Sequence, residues 1–135
     1  MSKFFVDTSA CFALLNARDT SHVAAMTIFR RLAQERAELY TSNFVLAETH
    51  GRLVNSTSRQ LAIAFLHELD TGSTHLVRAS VGDEQRARAI LGAYVDKDFS
   101  YVDAVSFGMV ERLHITQAVS FDDHFAQYGF LLLQP

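Results

Sequence analysis

Four carboxylates in this 135-residue chain stand where solvated acids are seldom found. Asp7 follows the apolar run Phe4-Phe5-Val6, and Asp122 follows Ala118-Val119-Ser120-Phe121. Asp103 sits in a stretch, Val102 to Leu113, that is apolar nearly all round when wound as a helix, the pattern of a buried helix. Glu48 comes three and four residues after Val45 and Phe44, beside an apolar stripe, with Arg52 one turn later. Each acid has an ordinary explanation. Asp7 and Asp122 suit helix N-caps. Ser100-Tyr101-Val102-Asp103 has the form of a capping box with Asp where Glu is usual. Glu48 and Arg52 are spaced as an i,i+4 ion pair, worth only ~0.2–0.5 kcal/mol. The joint pattern points further. Two acids fall just past apolar strands and two in the opening turns of apolar helices, places that a parallel α/β sheet can bring to one edge. Four carboxylates gathered there repel one another unless protonated or neutralised. A hard divalent cation, Mg²⁺ or Mn²⁺, relieves that repulsion, because oxygen ligands suit it and it keeps waters for chemistry.

Positioning these acids requires particular elements. Lys3–Val6 reads as a buried strand and Ser9–Asn16 as a short helix. A longer helix starts near Asp19-Thr20-Ser21, with Val23, Met26, Ile28, Phe29 and Leu32 as its apolar face. Leu39–Thr41 is a second strand, and Ser42-Asn43 caps a helix through Phe44–Val54. Ser58–Asp70 is another helix, stopped by Thr71-Gly72. His75–Ala79 is a third strand, and Gly82-Asp83-Glu84 opens a helix with acids in its favoured first turn. Ser100–His114 is a helix, while Ala118–Phe121 and Gly129–Leu133 close the series as strands. The alternation predicts an α/β fold, with a short-stranded, mostly parallel sheet covered by helices on both faces. Neither repeat nor linker divides the chain, so residues 1–135 are expected to form one domain.

Composition narrows the classes. With 49% hydrophobic and 20% charged residues, the chain can bury a real core. Acids outnumber Lys plus Arg by 15 to 12, which argues against a simple basic nucleic-acid binder. An enzyme that meets phosphate through metal stays open, since one divalent ion takes the formal charge from −3 to −1 and two take it to +1. The single Cys11 rules out an internal disulfide framework and fits a reducing compartment. The absence of a signal-like or membrane-spanning apolar run predicts a cytoplasmic protein. Arg18, Arg30, Arg31, Arg52, Arg59, Arg86 and Arg88 look scattered over solvated helix faces.

The ordered motifs Phe-Val-Asp7-Thr-Ser, Leu-Ala-Glu48-Thr, Phe-Ser-Tyr-Val-Asp103-Ala and Ser-Phe-Asp122-Asp-His-Phe, followed by Tyr-Gly-Phe, resemble a PIN domain. More narrowly they resemble the VapC type of toxin nuclease, over essentially the whole chain. The resemblance implies a compact α/β/α domain and an endoribonuclease with an acidic pocket for Mg²⁺ or Mn²⁺. Asp7, Glu48, Asp103 and Asp122 match the family's four pocket acids. Asp7, Asp103 and Asp122 are then the metal ligands, and Glu48 binds or orients the attacking water. Ser9 and Ser120 match hydroxyls near the first and last acids, Arg52 is a candidate phosphate contact, and Asp98 resembles an accessory acid. Asp123 is expected to point away. The implied chemistry is in-line attack by a water of lowered pKa, with a second ion free to stabilise the leaving oxygen, leaving 5′-phosphate and 3′-hydroxyl ends. The implied partners are an RNA substrate (tRNA or rRNA), a small antitoxin that inserts a segment into the pocket, and a second copy through the apolar helices of the first half.

Rival chemistries lack their residues. Neither a His-Glu-x-x-His zinc pattern nor a P-loop or Gly-x-Ser-x-Gly elbow occurs. A phosphotransfer receiver wants paired acids after the first strand and a late Lys, but Asp7 stands alone and no Lys follows Lys97. A PIN-like module that binds RNA or protein without turnover remains the alternative.

Overall fold

The computed structural model describes residues 2–135. In chain order the elements are β1 (Lys3–Val6), α1 (Thr8–Leu15), α2 (His22–Gln34), β2 (Glu38–Ser42), α3 (Asn43–Ser56), α4 (Arg59–Thr71) and β3 (His75–Val77). They continue with α5 (Val81–Ala93), α6 (Tyr101–Arg112), β4 (Gln117–Val119), α7 (His124–Tyr128) and β5 (Leu131–Leu132). The five strands form one sheet in the order β3-β2-β1-β4-β5, and every pairing is parallel. Central β1 is covered on both faces, which is why Phe4, Phe5 and Val6 are buried in succession instead of alternating. Phe5 pairs with Tyr40 of β2 on one side and Ala118 of β4 on the other.

This strand order contains a reversal. The chain winds outward from β1 through β2 to β3, then crosses back to place β4 on the other side of β1 and β5 beyond it. The crevice at such a switch point, beyond the carboxyl ends of β1 and β4, is where open α/β sheets bind ligands. Asp7 is the first residue past β1, and its N–H still joins the ladder by donating to the Val119 carbonyl at 3.1 Å.

Three strands are shorter than the apolar runs suggest, each for a local reason. Ser120 and Phe121 leave β4 because their groups turn toward α1: Phe121 N–H donates to Ser9 Oγ at 2.9 Å. Ala79 lies beyond β3 because its N–H is taken by Asn43 Oδ1 at 2.8 Å. Gly129, at φ 120°, ends α7 in a conformation that side-chain-bearing residues rarely adopt, so β5 starts only at Leu131. The apolar face of α2 also differs from expectation. Ala25, Ile28 and Leu32 are buried, whereas Val23 is 76% exposed and Met26 is also on the outer side.

Helix α6 is buried from Asp103 through Val110, as its all-round apolar sequence predicts. It packs closely on α5 at Gly108, where an added Cβ would stand 3.1 Å from the Asp83 carbonyl oxygen. Asp83, 2% exposed, accepts two 2.8 Å bonds from the guanidinium of Arg112 and locks the two helices together. The arginine holds the Asp83 carboxyl below its ordinary pKa. Among the described residues, no helix is long and apolar enough to cross a membrane.

Candidate active site

The carboxyl ends of β1 and β4, the N-terminal turn of α6 and the outer turn of α3 enclose a polar cavity of about 240 Å³. Its lining comprises Asp7, Thr8, Ser9, Glu48, Arg52, Ser100, Asp103, Asp122 and His124. Six of the eight residues singled out from the sequence therefore line one pocket. Ser120 stands just behind them, and Asp98 does not join them.

Asp7 takes the N-cap position of α1 by backbone geometry, yet its carboxylate makes no capping bond. The cap explanation fails for this side chain. Its Oδ2 instead accepts from Ser9 Oγ at 3.1 Å and Ser120 Oγ at 2.9 Å. The two hydroxyls also touch each other at 3.1 Å, so one proton network ties α1 to the end of β4 behind the carboxylate. Asp7 is 4% exposed, and burial pushes its pKa up to about 6. The hydroxyl bonds pull the other way, and the charge of Asp103 adds to the rise.

For Asp103 the cap explanation holds and is incomplete. Ser100 and Asp103 form the full capping box, with Asp103 Oδ2 accepting from Ser100 N–H at 3.0 Å. The same oxygen meets His124 Nδ1 at 2.6 Å. Asp122 uses Oδ1 to accept from His124 N–H at 2.7 Å, and that oxygen is also 3.2 Å from His124 Nδ1. Each aspartate is thus pinned through one oxygen. Among the described residues, the other oxygen (Oδ1 of Asp7, Oδ1 of Asp103, Oδ2 of Asp122) takes no side-chain hydrogen bond. Thr8 Oγ1, buried in the pocket wall, has no hydrogen-bond partner among the described residues either.

This donor set fits a hard divalent cation: oxygen ligands, unspent and partly desolvated, beside a carboxylate made unstable as an anion by burial. Among the described residues, no three His, Cys, Asp or Glu side chains cage a common point as they stand. An ion held by one or two carboxylates and several waters, the coordination Mg²⁺ favours, asks for no such cage.

Glu48 and Arg52 sit differently from expectation. Glu48 is exposed at the pocket mouth and is not in apolar surroundings. The Glu48–Arg52 ion pair does not form; the Arg52 guanidinium lies over the Phe12 ring, 4.1 Å from its centroid. Asp98 is exposed outside the lining, because the turn before α6 carries it away, and Asp123 is exposed likewise. Phe99 is buried in an aromatic cluster with Tyr94, Phe107 and Tyr128, and Tyr101 Oη donates to Glu84, so neither aromatic is free to stack on a base. Cys11 is buried, and burial raises its thiol to about 12, with the charge of Asp7 contributing.

The residue missed from the sequence is His124, which touches two of the acids and presses edge-on against Phe99 at 5.6 Å. Its signal was the Asp122-Asp123-His124-Phe125 run itself. A second cavity, of about 400 Å³, is larger but lined by Leu14, Leu15, Phe29, Leu61 and Phe65, with Glu68 its one charged group. Its walls offer no acid–base pair for hydrolysis.

The chain is 30% identical over 131 residues to the 23S rRNA-specific endonuclease VapC20 of Mycobacterium tuberculosis, covering 97% of this chain and 98% of the relative. The crystal structure of that protein, described as a sarcin–ricin loop cleaving toxin, superposes with a TM-score of 0.89 at 31% identity, over 98% of this chain and 99% of the other. VapBC2 of Rickettsia felis, solved bound to a DNA fragment from its promoter, shares the fold at a TM-score of 0.72 and 14% identity, over 97% of each chain. The family model described as PIN domain matches residues 4–131, and the chain belongs to the PIN-domain family.

Proposed function

We propose that this chain is a metal-dependent endoribonuclease, the toxin of a toxin–antitoxin pair, formed as one unit over residues 1–135. The observation that carries the reading is the set of three aspartates at the β1–β4 switch point, each pinned through one carboxylate oxygen with the other unspent. Similarity to VapC20 directs the substrate toward ribosomal RNA, and toward an exposed loop of the sarcin–ricin kind.

Asp7, Asp103 and Asp122 would hold Mg²⁺ or Mn²⁺. The cation, when bound, supplies Lewis acidity toward the scissile phosphate and lowers the pKa of the attacking water. Ser9 and Ser120 fix the Asp7 carboxylate so that it has no freedom to turn away. Glu48, exposed at the mouth, can accept a proton from an attacking water and orient it for in-line displacement. Arg52 faces the same mouth and meets the substrate's negative charge. Cleavage would leave 5′-phosphate and 3′-hydroxyl ends.

The partner is a small antitoxin, supported by relatives of the same fold solved as VapBC complexes. A homodimer through the helices of the first half is part of the reading, supported by exposed Val23, Met26, Val54 and Ile63. So is a cytoplasmic location. The test is cleavage of purified ribosomes and of a labelled rRNA hairpin with Mn²⁺, Mg²⁺ or a chelator. Cleavage that needs the cation and disappears in Asp7→Asn and Asp103→Asn supports the enzyme. Full activity in both variants sinks the site assignment. Tight cation binding with RNA bound but uncut would instead identify a binding module.

A further inference from the structure

The count of scattered arginines conceals a local order along α3. Glu48 lies at the pocket, Arg52 one turn further, and the Ser56 carbonyl one turn beyond that. The face of Arg52 rests on Phe12, which is 5% exposed and fixed in α1. Stacking occupies the face of a guanidinium and leaves the N–H donors along its edge available for a planar anion. The Ser56 carbonyl accepts from Arg18 Nη2 at 3.5 Å, which brings a second guanidinium to the end of the same helix. Among the described residues neither arginine is ion-paired. Four residues of helix separate the two positions, ~6 Å along the axis. Leading out of the acidic pocket, this edge presents one pre-oriented cation and then another.

We propose that this edge of α3 carries the RNA backbone into the pocket: Arg52, held by Phe12, binds the phosphodiester beside the one that is cut, and Arg18 the next. Phe12 is a positioning residue that acts through Arg52. The proposal rests on the ribonuclease reading above. A purely structural stack would cover the Phe12 ring and affect stability alone.

The test is steady-state cleavage of a labelled rRNA hairpin at about 50 and 200 mM salt, a range over which phosphate contacts weaken strongly. At low salt Arg52→Ala is expected to raise KM about tenfold with kcat within about twofold, because a lost charged hydrogen bond is worth about that factor in binding. Arg52→Lys recovers part of the loss, Arg18→Ala raises KM several-fold, and both alanine variants flatten the salt dependence of kcat/KM. Phe12→Leu, compared at a temperature where circular dichroism shows it folded, raises KM but less than Arg52→Ala. Arg30→Ala, on α2, is the charge control and leaves KM unchanged. An unchanged KM in Arg52→Ala and Arg18→Ala overturns the proposal, as does an equal rise in Arg30→Ala. If the wild-type chain binds RNA without cutting it, filter binding with the same variants decides the track while the enzymatic reading falls. If it neither binds nor cuts RNA, both fall.

Discussion

His124 Nδ1 lies 2.6 Å from Asp103 Oδ2 and 3.2 Å from Asp122 Oδ1, so one ring joins a carboxylate of α6 to one carried just past β4. Like charges brought this close would otherwise swing apart. By engaging one oxygen of each, the imidazole holds both rotamers and leaves the remaining oxygens for a cation, the supporting role that groups behind metal ligands commonly play. His124→Leu is therefore expected to weaken Mn²⁺ binding about tenfold or more, measured by calorimetry. His124→Asn, whose amide can donate from nearly the same position, should retain most of the affinity. Equal or tighter binding by the leucine variant would show that the ring competes with the ion instead of preparing its site.

Asp83 and Arg112 join α5 to α6 by two 2.8 Å bonds around a carboxylate that is almost wholly buried. Arg112→Ala strands that charge against the α6 flank. A loss on the order of 2–3 kcal/mol follows, below the usual cost of breaking a fully buried pair because the arginine is itself half exposed. Urea denaturation should show it as a lower midpoint at unchanged slope. Neither residue lines the pocket, so cleavage per folded molecule should stay at the wild-type value.

Two helices end in a left-handed residue that is not glycine. Arg36 follows α2 at φ 53° and His114 follows α6 at φ 57°. Both sit in the same hydrogen-bonded close, with Ala37 N–H returning to the Leu32 carbonyl and Ile115 N–H to that of Val110. Glycine is the residue that conformation favours. His114→Gly should raise stability by about 0.5–1 kcal/mol, the relief of left-handed strain less the greater freedom glycine gives the unfolded chain. Thermal denaturation measures it, and a lower melting temperature would assign the histidine side chain a stabilising contact.

The elements and the pocket were legible to different depths. β1, α4 and α6 could be read because continuous burial and caps leave local marks, as with Ser58 accepting from Leu61 N–H. Convergence of Asp7, Glu48, Asp103 and Asp122 was legible because parallel strands send their carboxyl ends to one edge. The rotations were not legible. Whether Arg52 turns to Glu48 or to Phe12 depends on α1 lying across α3, a tertiary contact without a local signature. Asp98 fails for a similar reason, since it stands in the irregular chain between α5 and α6, before Ser100 caps the helix, where no local pattern fixes its direction. His124 was passed over because a single histidine beside an acid is ordinary until a third residue, Asp103, arrives from 21 positions away.

Asp7 carries a cost that a bound cation should remove. Unfolded, its carboxyl titrates near 3.8; folded and without metal, burial moves it to about 6. Between those values the folded protein holds a proton that the unfolded chain has released. The unfolded state then binds fewer protons, so this group's contribution to stability falls as pH rises through the window. The gap of about two units corresponds to about 3 kcal/mol, lost between roughly pH 4 and 7. Asp7→Asn keeps the shape without the charge. The metal-free variant should therefore match the wild type near pH 4 and exceed it by up to about 3 kcal/mol at pH 7. Saturating Mn²⁺ should narrow the difference at pH 7 by stabilising only the wild type, through binding to its folded state. Urea titrations of both proteins at the two pH values, with chelator and with Mn²⁺, give all the terms. A stability difference that ignores both pH and metal would mean that Asp7 is a solvated acid without a place in the site.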